Sequence, residues 1–81
     1  MNVRVKLFAA VRDVVGKEEV ILSTPRGATA FSIVNELARQ FPGLGKWKNY
    51  VRVAVNWEYV PETQVLNEND EVAVIPPVSG G

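Results

Sequence analysis

Eighty-one residues make room for a single domain, and a chain that is 47% hydrophobic and 22% charged has the balance of a globular protein, not of a disordered one. Nine basic and nine acidic side chains cancel, which excludes a nucleic-acid binder that draws its affinity from phosphate neutralisation, and no apolar run reaches the length of a membrane span. There is no cysteine and no histidine, so thiolate and imidazole chemistry are closed to this chain, whether as nucleophile, base or metal ligand.

Met1 to Val5 enters a strand pattern at once and has no signal-peptide character, which points to the cytoplasm. Val3, Val5 and Leu7 alternate with Arg4 and Lys6, the period of a strand with one buried face. A short helical turn from Ala9 to Val15 follows, with Gly16 placed for a left-handed cap. Glu18 to Leu22 reads as a second strand, and the short connection makes it antiparallel to the first. Thr24-Pro25-Arg26-Gly27 is turn chemistry.

Thr29 is the expected N-cap of the main helix, Ala30 to Phe41, whose apolar stripe is Ala30, Val34, Leu37, Ala38 and Phe41. Pro42-Gly43 stops it, and Leu44 to Asn49 reads as a loop. Val51, Val53 and Val55 alternate into a third strand, and Asn56-Trp57-Glu58 turns into a short fourth at Tyr59-Val60. Pro61 to Asn67 is irregular. Asn69-Asp70 forms a tight turn, and Glu71 to Ile75 is the last strand, with Val72 and Val74 inward. One amphipathic helix packed across one mixed sheet of four or five strands is a two-layer α+β fold. In this order a β-grasp, with the first and last strands parallel at the centre, buries every apolar face.

The domain is expected to span residues 1–75, and 76–81 to form an extended C-terminal tail. Pro76 and Pro77 cannot donate to a sheet ladder, so the strand must stop there. Val78, Ser79, Gly80 and Gly81 complete the segment. At a glycine usage near 7%, two adjacent glycines at the end arise by chance about 0.5% of the time, which favours a purpose for them. Lacking side chains, Gly80 and Gly81 suit a narrow channel in which another enzyme attacks the terminal carboxylate.

The run from Asn69 to Gly81, ending Pro-Pro-Val-Ser-Gly-Gly, resembles the C-terminal signature of the MoaD/ThiS family of ubiquitin-like sulfur carriers, and its last six residues are most similar to those of the small subunit of molybdopterin synthase. The opening Val5-Lys6-Leu7-Phe8-Ala9-Ala10-Val11-Arg12-Asp13, Gly16 and Ala54-Val55-Asn56 fit the same family. Asn69 departs from it, standing where glycine is usual, but asparagine tolerates the left-handed conformation. The resemblance implies a carrier that binds no stable cofactor and is not an enzyme on its own. An E1-like adenylating enzyme would use ATP and magnesium to make an acyl-adenylate of Gly81, and a sulfur donor, a sulfurtransferase, would replace AMP to leave a thiocarboxylate. The tail would then enter the large subunit of molybdopterin synthase and give its sulfur to cyclic pyranopterin monophosphate. The alternatives are sulfur carriage for thiazole or another thiolated product, and a ubiquitin-like protein modifier conjugated through Gly81.

Strand phase adds a docking surface. Phe8 is out of phase with Val3, Val5 and Leu7, and Ile75 with Val72 and Val74. In a β-grasp sheet the two come close, with Tyr59 on the short strand as a third member whose face the sequence leaves open. Trp47 and Trp57 are expected to cover the edge of the core, and Lys46 and Lys48 to make a solvated basic turn. Glu62, Glu68, Asp70 and Glu71 are too scattered for paired-carboxylate catalysis, and Gly43-Leu44-Gly45-Lys46 lacks P-loop spacing.

Overall fold

Alternation sets the central strand. In β1 (Asn2–Leu7) Val3, Val5 and Leu7 are buried while Asn2 and Arg4 are exposed. The computed structural model describes residues 1–77 and continues with α1 (Ala9–Val15), β2 (Glu19–Ser23), α2 (Ala30–Gln40), a single 3₁₀ turn at Pro42–Leu44, β3 (Arg52–Val55), β4 (Glu58–Val60) and β5 (Glu71–Ile75). The strands form one sheet in the order β2-β1-β5-β3-β4. β1 runs parallel to β5, and the β1–β2, β3–β5 and β3–β4 pairs are antiparallel. This is the ubiquitin-like β-grasp, with the expected strands at its centre.

α2 closes the inner face. Thr29 caps it through a reciprocal pair: its Oγ1 accepts from the Ser32 N–H at 3.2 Å, and Ser32 Oγ accepts from the Thr29 N–H at 2.8 Å. The irregular Pro61–Asn67 segment supports the same end. The Gln64 and Glu62 carbonyls accept from Ala30 and Phe31 at 2.9 Å each, which satisfies donors a helix leaves open in its first turn. Ala30, Ile33, Val34 and Leu37 are buried. Ile33 completes the stripe and was not in the sequence pattern drawn above, whereas Ala38 and Phe41 are only partly buried at its margin. They share one core with Val3, Val5, Leu7, Val53, Val72 and Val74 from the sheet and with Val11, Leu22, Leu44 and Leu66 around it.

Gly16 has φ 82°, and its N–H closes α1 onto the Arg12 carbonyl at 2.8 Å. Asn69, at φ 72°, takes the left-handed position expected of it. Several boundaries differ from the expected ones. β2 begins at Glu19 and extends to Ser23, α2 ends one residue early with Phe41 as its cap, Val51 precedes β3 instead of opening it, and Glu58, read as part of the turn, opens β4. The Leu44–Asn49 stretch is a succession of tight turns, with Trp47 N–H on the Leu44 carbonyl at 2.9 Å and Tyr50 N–H on Trp47 at 2.8 Å. Among the described residues no helix is long and apolar enough to cross a membrane.

Candidate docking face

Because α2 covers one side of the sheet, the other side stands open, and its composition follows from register. Glu19, Lys6, Ala73, Ala54 and Tyr59 lie opposite one another in one row across all five strands. The two central alanines make a low floor, and Tyr59 rises at one end. That row resolves the face of Tyr59: it shares the outer side with Ala54 and is 57% exposed. In the next row Ile75 pairs with Arg52.

Phe8 follows Leu7, which pairs with Val74. Its backbone is still extended (φ −126°, ψ 151°), so one step beyond an inward leucine its ring turns outward, and it is 38% exposed. Phe8, Tyr59 and Ile75 therefore meet, as strand phase implied, in one depression of about 200 Å³ floored by Ala54 and Ala73.

Trp57 shares that depression. Here the sequence expectation fails. Trp47 packs against the core, but Trp57 is 79% exposed and covers none of it. The reason is its place in the β3–β4 connection, where a two-residue turn points the side chain to solvent. Asn56-Trp57-Glu58 reads as a turn in the sequence, but only the pairing of Val55 with Glu58 narrows it to a two-residue hairpin tip, where a side chain is not core.

Charges frame the aromatic rings. Arg52 Cζ lies 4.1 Å from the centroid of the Tyr59 ring, and Lys6 Nζ lies 5.3 Å from that of Trp57. Lys6 also pairs with Glu71 Oε1 at 2.6 Å. Cations over ring faces hold exposed aromatics in defined orientations, each contact contributing about 0.5–1 kcal/mol at such sites. The result is an apolar centre with a charged rim, the anatomy of a protein-binding surface.

The chain leaves β5 beside this surface. Pro76 is buried and Pro77 is exposed. The other four residues assigned to the tail, Val78, Ser79, Gly80 and Gly81, lie outside the described residues.

Comparison with known proteins follows the same outline. A model described as the ThiS family matches residues 5–81. The molybdopterin synthase sulfur carrier subunit of Arabidopsis thaliana is 36% identical over 81 residues, covering 100% of this chain and 84% of the relative. That of Homo sapiens is 37% identical over 83 residues, covering 99% and 94%. Among solved structures, a putative molybdopterin converting factor subunit 1 from Pyrococcus furiosus superposes with a TM-score of 0.86 at 29% identity, covering 96% of this chain and 99% of that one.

Proposed function

The chain belongs to the ThiS family, and from that premise we propose that it is the sulfur carrier subunit of molybdopterin synthase, with the Gly81 carboxylate as the group that is activated and loaded. The observation that carries this reading is that similarity runs through the final residue: the family match ends at 81, and relatives bearing that name align with essentially the whole chain.

A free carboxylate is a poor acyl donor because oxide is a poor leaving group. Attack of the Gly81 carboxylate on the α-phosphorus of ATP releases pyrophosphate and leaves an acyl-adenylate, whose AMP departs when hydrosulfide released by the donor adds to the carbonyl carbon, the hydrosulfide proton passing to solvent. The product is a thiocarboxylate, soft and ionised at neutral pH. ATP and magnesium belong to the E1-like adenylating enzyme, and the catalytic side chains for the transfer to cyclic pyranopterin monophosphate belong to the large synthase subunit. This chain supplies the acyl group and the surface that docks it. Phe8, Tyr59 and Ile75 form the centre of that surface; Pro76, expected in the threading segment, is buried with the domain, so Pro77 to Gly80 thread the end into the partner.

Intact-mass measurement after incubation with the adenylating enzyme, ATP, magnesium and a sulfur source tests the loading step. The expected product has one oxygen exchanged for sulfur at Gly81, and a chain lacking Gly80-Gly81 gives none. An unchanged mass for the full chain, or failure to restore molybdenum-enzyme activity in cells lacking the small subunit, would refute the assignment. Boiling- and thiol-resistant adducts through Gly81 on other proteins would instead mark a protein modifier.

A further inference from the structure

The turn that carries Trp57 breaks a local rule. Asn56 and Trp57 alone connect the paired residues Val55 and Glu58, and both have positive φ, 51° and 73°. This is the mirror-image hairpin turn, whose second position is normally glycine because a Cβ is strained there. Here the largest side chain occupies it and gains almost no burial. Backbone strain kept without a return in packing points to function.

The turn is also held in place. Asn56 Nδ2 donates to Asp70 Oδ1 at 3.0 Å, and Asn56 Oδ1 accepts from the Glu71 N–H at 3.1 Å, which clips the hairpin tip to the start of β5. The indole forms a common wall between the patch of Phe8, Tyr59 and Ile75 and a second depression of about 400 Å³ that reaches Arg12, Glu18 and Glu19.

The separation between Pro77 and the proposed reactive Gly81 decides what covers this wall. Gly81 lies four residues past Pro77, and four fully extended residues reach at most about 14 Å. A partner whose active site takes the Gly81 carboxylate must therefore stand against the face around Ile75, to which Trp57 belongs.

We propose that Trp57 is a specificity-determining anchor for the large synthase subunit, which closes an apolar slot over the indole as it draws in the chain end. This rests on the reading of function above. Asn56 and Asp70 are positioning residues that present the ring.

Calorimetric binding of the purified chain to its cognate large subunit, paired with thermal unfolding of each variant, tests the assignment. Trp57→Gly suits the left-handed turn, so its Tm should equal or exceed that of the parent chain, while its Kd rises at least about 30-fold, as for an interface hot spot. Trp57→Phe should recover part of that affinity. A Trp57→Gly variant that binds within about 3-fold of the parent overturns the anchor role and leaves the functional reading standing. A fall in Tm accompanying the loss of affinity overturns it too, by showing a structural role. Absence of binding by the parent chain itself defeats both.

Discussion

Asn69, at φ 72°, stands in the turn that launches β5, and side-chain chemistry lets it stay there. Its short amide tolerates a conformation that costs a residue with an ordinary Cβ roughly 1–2 kcal/mol. Asn69→Ala should lower stability by about 1 kcal/mol in urea unfolding, with Asn69→Gly close to neutral. At the proposed docking face, Phe8→Ala removes an exposed ring and leaves the core intact. It should weaken binding to the large subunit about 10-fold or more with Tm unchanged. On the solvent side of α2, Glu36 accepts hydrogen bonds from Arg39 and also from Gln40, and its carboxyl pKa is lowered from 4.5 to about 2. The unfolded chain binds the proton more readily than the native one, so this arrangement favours folding above about pH 4.5 and ceases to do so as pH falls toward 2. Arg39→Ala should return the Glu36 midpoint toward the ordinary carboxylate range in a carbon-detected NMR titration. A midpoint that stays near 2 would show that Arg39 is not the cause.

At the scale of elements, most boundaries follow from local chemistry. Thr29 and Ser32 cap α2 reciprocally, so Thr29→Ala should cost about 1 kcal/mol in chemical denaturation. Prolines and left-handed residues punctuate the chain where the elements stop: Pro42 after α2, Gly16 after α1, Pro76 after β5. The helix stripe was legible except for Ile33, which lies three residues after Ala30 on the same buried face as Val34 and Leu37. The 44–49 segment was legible only as irregular. Its turns obey no hydrophobic period, and Leu44 and Trp47 are drawn inward by the space between α1 and α2.

For the whole molecule, core and proposed docking face are separable because they occupy opposite sides of one sheet. Leu37 and Ile33 lie at the centre of the inner layer, 1% and 0% exposed. Truncating either to alanine should cost roughly 2–5 kcal/mol, a large share of the 5–15 kcal/mol that holds a domain together. The measured signature is a lower Tm with unchanged affinity for the large subunit at temperatures where the variant is folded, the reverse of Trp57→Gly.

Periodicity along the chain recorded which side of β1, β3 and β5 meets water and the approximate extent of the main helix. It determined the α+β architecture and drew attention to Phe8 and Ile75, since an out-of-phase apolar residue is visible without coordinates. It left Tyr59 without a face and placed Trp57 wrongly. Both depend on what lies opposite across the sheet: the row from Lys6 through Ala73 and Ala54 to Tyr59, and the two-residue tip after Val55. Register between distant strands is set by simultaneous burial of all their inner faces, a condition on the assembled molecule that no single segment expresses.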